Sequence, residues 1–431
     1  MRFIHAADIH LDSPLTGLAT YPDAPAQLLR TATRDALENL VSEAIAEQVD
    51  FLVIAGDLYD GGWKDFNTGL FFVQQMGRLK TAAIPVYLLF GNHDAESEMT
   101  KRLVLPDNVH CFPSNKPATF KLPALRVALH GRSFKDAATR ENLAVTYPDP
   151  ITDTGWFNIG VLHTALEGNA AHAHYAPCTI AELEARGYQY WALGHVHEHR
   201  VWRGASTIAY PGNLQGRHIR EAGPRGALLV STQGTEQDRE IDAVERLHVD
   251  VLRWHSLAVD VAAAHTLTEA VQLVGRALES LCASAGELPL AVRVTLTGAC
   301  AAHGQLFGLE HQLRAEVLAQ AAIVGNERIW IEKIRIDTSS PNLAHALAAN
   351  VAARSDAVAE LQALLVQAAS DPAFLQGLQD ELMPLVGRLP LEVITAVPEL
   401  DGLRQGNQER VGELVALYAP ALLAYVAAQE A

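Results

Sequence analysis

Residues 51–60 read FLVIAGDLYD. Five apolar residues in succession, among them Phe51, Val53 and Ile54, form the pattern of a buried strand. Gly56 stops it, and glycine permits the tight turns and close backbone approach that strand exits need. The next side chain is Asp57, a carboxylate whose two oxygens can serve two cations at once. Working outward, residues 26–48 place Leu29, Ala32, Ala36, Leu37, Leu40, Ala44 and Ile45 at helical spacing, and residues 3–7 look like a strand. Downstream, 67–79 read as a helix and 85–90 as a strand. This alternation predicts a layered α/β domain.

From residue 125 strand signals dominate, at 125–130, 158–163, 190–193, 207–209 and 227–231, with a helix at 180–186. The pattern predicts two sheets face to face with helices outside. The polar stretch 232–250, TQGTEQDREIDAVERLHVD, marks a shift, and a boundary is expected around 252–256. Strands at 257–260, 291–297 and 328–336 and helices at 266–284 and 304–322 make a small α/β module. After Ser339-Ser340-Pro341 the chain reads as helical, with amphipathic stripes at 358–366 and 411–426. The expected domains are 1–252, 253–340 and 341–431.

The chain has 431 residues, too many for one ordinary core. With 49% hydrophobic and 19% charged residues it is a globular chain. The net charge of −17 excludes a generic basic nucleic-acid coat. Residues 341–431 hold eleven acidic residues against four arginines, a net of −7, so much of that acidity lies away from the motifs below. Cys111, Cys178, Cys282 and Cys300 are widely spaced and form no CxxC pair, which fits reduced thiols and the cytoplasm. The first residues, MRFIHAADIHLDSPL, read as a strand and loop rather than a signal peptide, and no apolar run is long enough to span a membrane.

Five short motifs carry chemistry: Asp8-Ile9-His10, Gly56-Asp57-Leu58-Tyr59-Asp60, Gly91-Asn92-His93-Asp94, Leu162-His163-Thr164 and Gly194-His195-Val196-His197. Asp8 and His10 leave an extended segment on the same side. His195 and His197 repeat that spacing after another strand, and Asn92 offers a neutral carbonyl. One site would comprise Asp8, His10, Asp57 and His197; the other Asp57, Asn92, His163 and His195. Oxygen and nitrogen ligands without thiolate suit Mn²⁺, Fe²⁺ or Zn²⁺ and disfavour a structural zinc. Two such cations roughly 3.5–4 Å apart suit phosphoester hydrolysis. His93 is not needed as a ligand and is the natural group to protonate a leaving oxygen. Asp94 could orient it or another histidine.

The set DIH, GDLYD, GNHD, LHT and GHVH resembles the calcineurin-like metallophosphoesterases. Within them the chain is similar to bacterial DNA-repair exonucleases of the SbcD type, above all the YhaO subgroup. FIHAADIHLDSPL, GDLYDGGWKDFNTGLFFVQQM, YAPCTI, GYQYWALGHVH and YPGNLQGRHIREAGPRGALLV extend the likeness over about residues 1–250, and more weakly beyond. The resemblance implies a four-layer αββα sandwich, two Mn²⁺ ions, exonuclease or endonuclease activity on DNA ends, and a catalytic GNHD histidine. It further implies a nuclease domain over 1–252 and a capping or DNA-binding module over 253–340. The helical region over 341–431 fits internal packing or partner docking. Implied partners are DNA, an SMC-like coiled-coil ATPase and a second copy in a homodimer, with no membrane. One departure stands out: the nucleases often carry a histidine three residues after the bridging aspartate, where this chain has Asp60.

Between 200 and 225 five arginines face a single acidic residue, Glu221. Arg217, His218 and Arg220 could meet a DNA phosphate there, or form a solvated loop with internal salt bridges. Lys121, Arg126, Arg132, Lys135 and Arg140 form a second basic run that fits backbone contact or a plain charged face. Trp63 and Phe66 fit core packing better than base stacking, and His172 and His174 a solvent-exposed pair in a loop. His5, His110 and His130 read as packing residues. The same metal motifs would serve a small-molecule phosphodiesterase or nucleotidase. A silent scaffold for the ATPase would not need every ligand present. A protein phosphatase would show Asp-Arg-Gly where this chain has Asp60-Gly61-Gly62.

Overall fold

The computed structural model describes residues 1–16, 18, 25–60, 66–96, 104–153, 155–166, 175–235, 238–325, 328–339 and 357–389, with 408, 410–415, 418, 419 and 422. Trp63, His172 and His174, and half of 411–426, lie outside them. The chain divides into two compact units, Met1–His255 with Leu288–Ala291, and Ser256–Glu287 with Val292–Ala431.

In the first unit the strands are β1 (Arg2–Ala6), β2 (Phe51–Ala55), β3 (Val86–Leu89), β4 (Val109–Cys111), β5 (Ala118–Leu122), β6 (Val127–Gly131), β7 (Phe157–His163), β8 (Tyr190–Gly194), β9 (Arg200–Arg203), β10 (Thr207–Tyr210), β11 (Gly226–Gln233) and β12 (Glu240–His248). One six-stranded sheet runs β12-β11-β1-β2-β3-β4 and the other β5-β6-β7-β8-β10-β9. Alternation along β1 and β2 explains the layering. Phe3, Phe51, Val53 and Ala55 point into a core shared with Val127, Leu129, Phe157, Ile159, Val161 and Tyr190 of the second sheet. Ile4, Ala6, Leu52 and Ile54 point the other way, onto Leu37, Leu40, Ala44, Phe72 and Met76. These last belong to helices α1 (Ala26–Ala46) and α2 (Phe66–Thr81). On the far face of the second sheet, Leu162, Trp191, Leu193 and Ile208 pack with Leu143, Tyr147, Leu183 and Tyr188. The result is the expected αββα sandwich.

The polar stretch 232–250 holds a strand. It is β12, which pairs antiparallel with β11 from Gly226↔His248 to Gln233↔Glu240, across a bulge at Ser231/Thr232. An edge strand with mostly half-buried or exposed side chains has no apolar signature, so its polarity resembles that of a loop. Phe66 is 60% exposed at the start of α2, so it is not core.

In the second unit a three-stranded sheet has the order β13-β14-β15, from Arg253–Asp260, Leu290–Ala299 and Ile329–Ser339. The short helices α3 (Asn92–Glu96) and α4 (Ile180–Glu184) belong to the first unit, and α5 (Leu267–Ala285) to the second. Helix α5 starts at Thr266, whose hydroxyl accepts the Glu269 N–H, and buries Ala270, Val271, Val274 and Leu278. The helix expected over 304–322 is broken at Leu309 into α6 (His303–Gly308) and α7 (Glu310–Gly325). Two further helices, α8 (Ala357–Ala368) and α9 (Pro372–Val386), make the C-terminal region helical. Among the described residues no helix is long and apolar enough to cross a membrane.

His5 sits in β1, fully buried, with Nε2 donating to Leu193 O at 3.1 Å and Nδ1 2.9 Å from the Tyr190 hydroxyl. Burial lowers its pKa from 6.5 to about 3. The unfolded chain therefore binds a proton between those values that the folded chain does not. Stability is lost as pH falls from 6.5 towards 3, by up to about 1.4 kcal/mol per pH unit. His5→Gln keeps a donor for Leu193 and should flatten that slope by up to one proton. Denaturant melts in EDTA across this range measure it, and an unchanged slope refutes the assignment.

Candidate metal centre

Strands β1, β2 and β3 run parallel, as do β7 and β8, so their C-terminal ends gather at one edge of each sheet. Asp8 and His10 follow β1, Asp57 follows β2, Asn92 follows β3, His163 ends β7, and His195 and His197 follow β8. The loops are tied to one another: Asp8 N–H donates to Gly56 O and His10 N–H to Asp57 O, both at 3.0 Å. Asp8, His10, Asp57 and His195 all hold left-handed backbone, with φ of 50°, 44°, 51° and 98°. For non-glycine residues this costs on the order of 1 kcal/mol or more each. Gly56 has φ of 98° itself, and a side chain on Gly91 would strike the Asp57 carboxylate.

The predicted ligands converge. Ligand atoms of Asp8, His10 and His197 lie within 4.8 Å of one another, and so do those of Asp57, His163 and His195. Asp57 Oδ2 lies 3.8 Å from His10 Nε2 and 3.4 Å from His163 Nε2, so it faces both groups. Asn92 Oδ1 is 3.0 Å from His163 Nε2. Nε2 of His10 and Nε2 of His197 face each other at 3.2 Å. Asp8 and Asp57 are 0% and 1% exposed. Two carboxylates buried this deeply among ring nitrogens need a compensating positive charge. Burial opposes charge on His163, but Asp57 outweighs it and holds the His163 pKa up at about 9. The same pairing holds the Asp57 carboxyl well below the usual range despite its burial.

His93 stands at the rim, its side chain 40% exposed, with its backbone N–H on Asp57 Oδ1 at 3.0 Å. Its Nδ1 lies 3.3 Å from Asp60 Oδ1, and Ser13 holds the other Asp60 oxygen at 3.0 Å. Asp94, expected to orient a histidine, accepts the backbone N–H groups of Leu58, Tyr59 and Gly91 at 2.9–3.1 Å. It braces the turns after β2 and β3, and the carboxylate that meets the His93 ring is Asp60. Arg217, His218 and Arg220 lie beside the His197 side of the site. The Arg217 guanidinium reaches Glu221 at 3.2 Å and Ser13 at 3.3 Å, His218 Nε2 is 3.8 Å from Glu221, and Arg220 is exposed. In the second basic run Lys121 lies over the Trp156 ring and Arg132 pairs with Glu141 at 3.3 Å.

Sequence reasoning missed three supports. Asp12 (φ 63°) takes both arms of Arg34 at 2.6 Å and the Thr68 hydroxyl, fixing the β1 loop to α1 and α2. Glu221 accepts from His197 Nδ1 at 2.7 Å, and Arg225 donates to His197 O and Glu221 O. The one available signal was Glu221's standing alone among five arginines.

Residues 1–199 match the family described as calcineurin-like phosphoesterase, and 254–339 match the middle domain of metallophosphoesterase YhaO. Over 302 residues the chain is 36% identical to the uncharacterized metallophosphoesterase YhaO of Bacillus subtilis strain 168, covering 69% of this chain and 72% of that protein. The chain belongs to the calcineurin-like metallophosphoesterases. It is 28% identical over 238 residues to the DNA double-strand break repair protein Mre11 of Methanopyrus kandleri, spanning 49% of this chain and 48% of that one. It is 25% identical over 255 residues to the SbcD component of the nuclease SbcCD of Staphylococcus saprophyticus, spanning 53% and 65%. In both of these the chain covers less than two thirds of the relative's length.

This metallophosphoesterase family implies divalent metals, and the oxygen and nitrogen donors of the two clusters fit them. Metal binding should therefore stabilise the fold. Saturating Mn²⁺ should raise Tm relative to EDTA, the folded state gaining about 2.7 kcal/mol per site at a hundredfold excess over Kd. Asp57→Asn should abolish most of that shift in a calorimetric scan; a shift of wild-type size in this variant refutes the shared role of Asp57.

Proposed function

We propose that the chain is a Mn²⁺-dependent DNA nuclease that hydrolyses phosphodiester bonds at DNA ends during repair. Asp8, His10, Asp57 and His197 would hold one ion, and Asp57, Asn92, His163 and His195 the other. The observation that carries the reading is the Asp57 carboxylate placed between two ligand groups, with His93 exposed beside it. Family membership supports phosphoester hydrolysis, and the Mre11 and SbcD relatives support DNA as substrate. In the same reading residues 1–252 are the nuclease domain and 253–340 a DNA-binding cap. Residues 341–431 dock an SMC-like ATPase, and the chain works in the cytoplasm, on its own or as a homodimer.

When bound, two divalent cations supply charge neutralisation for the phosphodiester and acidify a water for attack. His93 supplies the proton. With Nδ1 turned to Asp60, its other ring nitrogen is left to meet the leaving oxygen. Asp57 holds the backbone of His93 by its N–H, so the acid and the shared ligand keep a fixed relation. His218 and Arg220, at the rim, would meet non-bridging or flanking phosphate oxygens, together with Arg217.

His93→Ala should lower kcat on linear DNA about 10²–10⁴-fold and leave Mn²⁺ binding by calorimetry intact. Linear, hairpin and single-stranded DNA, assayed with and without Mn²⁺, test the substrate. Hydrolysis of bis-p-nitrophenyl phosphate or cyclic nucleotides with no cleavage of any DNA would give the function to a small-molecule phosphodiesterase. Deleting 341–431 should abolish ATPase binding in a pull-down and spare Mn²⁺-dependent cleavage; retained binding refutes the docking role.

A further inference from the structure

The stretch from Tyr210 to Gly226 is rich in arginine, yet much of its polar chemistry turns inward. Glu221 is 5% exposed. Its Oε2 accepts the Arg217 N–H at 2.7 Å and Asn213 Nδ2 at 2.9 Å. Its Oε1 lies 2.7 Å from His197 Nδ1 and 3.2 Å from Arg217 Nη2. Both oxygens are thus held in place before the histidine is considered. The backbone beneath is held as well: Arg225, 4% exposed, donates to Glu221 O, to Asn213 Oδ1 and to His197 O. One guanidinium therefore pins the main chain at both ends of the Glu221–His197 pair.

We propose that Glu221 is a positioning residue that fixes His197 with a proton on Nδ1 and the Nε2 lone pair turned toward Asp8 and His10. Arg217 Nη2 also lies 3.4 Å from His197 Nδ1, but Glu221 Oε1 at 2.7 Å is the closer partner, and an acceptor-only carboxylate there selects one tautomer. Nε2 then faces His10 Nε2 at 3.2 Å and Asp8 Oδ1 at 3.9 Å, where the first cluster lies. His163 in the second cluster is oriented differently, with Nδ1 on the Ala55 carbonyl at 2.9 Å. A carboxylate partner makes an imidazole a more basic ligand than a carbonyl does. The two ion sites therefore differ in what stands behind a histidine, and Glu221 governs only one of them.

The inference rests on the reading of His197 as a ligand. Glu221→Gln is a sharp probe, because two donors converge on Oε2. The amide oxygen is drawn to that side, and the amide NH₂ then faces His197 Nδ1. That favours the opposite tautomer and removes the Nε2 lone pair. In Mn²⁺ titrations followed by calorimetry and electron paramagnetic resonance, the variant should bind one ion 10–100-fold more weakly and the other as wild type does. Its melting temperature in EDTA should stay within a few degrees. In a His197→Ala background the Gln substitution should add nothing to the metal affinity. Unaltered affinity for both ions, equal weakening of both, or a full further loss in the His197→Ala background overturns the proposal. If His197→Ala itself leaves Mn²⁺ binding intact, the ligand reading falls instead. A measurement independent of any variant is the ¹⁵N spectrum of the metal-free wild type. It should show His197 protonated on Nδ1, and an Nε2–H tautomer would sink the idea.

Discussion

The Asp57 carboxylate is the contact on which the rest of the centre depends. It stands 3.8 Å from His10 Nε2 and 3.4 Å from His163 Nε2, one from each sheet, and its other oxygen takes the His93 N–H. A buried charge of this kind is tolerable only where its surroundings are rigid and opposite in sign. The fold supplies rigidity through β2, whose five residues are all fully buried. It supplies the close approach through Gly56 and Gly91, where any side chain would collide with His163 or Asp57. The left-handed φ values at Asp8, His10, Asp57 and His195 follow from the same demand. Each strand must stop abruptly and turn its polar side chain inward, and only tightly bonded loops hold such backbone.

Those bonds come from residues outside the two ligand clusters. Asp94 gathers three backbone N–H groups from the turns after β2 and β3, and Asp12 anchors the β1 loop to Arg34 and Thr68. Asp94 is buried enough that its carboxyl is pushed up to about 6, by burial first and by Asp57 next. A group under that pressure remains useful only because three donors converge on it. It is a structural brace that happens to sit beside His93 in the sequence.

This explains which parts of the molecule could be read from residues alone. Strands buried on both faces, such as Phe51–Ala55 and Phe157–His163, announce themselves by unbroken apolar runs, and the ligand motifs follow them directly. The edge strand Glu240–His248 does not, since solvent accepts any side chain on it. The two clusters were legible because their residue types and spacing are those that suit cations. Their supports were not, because a hydrogen-bond partner such as Glu221 is chosen by geometry 24 residues from His197. Sequence adjacency does not give the contact either: Asp94 adjoins His93, and the His93 ring lies against Asp60 across the loop.

The arginine-rich stretch shows how composition and function diverge. Counted as charges, the five arginines between 200 and 225 suggested a surface for an anion, with Arg217 and Arg220 as its clamp. In place, Arg225 is 4% exposed and bonded to carbonyls, and Arg217 lies against Glu221. What remains outward near the site is Arg220 and half of His218. With a net charge of −17 on the chain, long-range steering of a polyanion is weak, since exposed charges beyond about 8 Å are screened at physiological salt. Recognition of a phosphoester by this family's chemistry would then be short-ranged, carried by the cations that the two clusters fit. Arg225, and Arg217 through Glu221, bear on the orientation of His197, while Arg220 is left exposed.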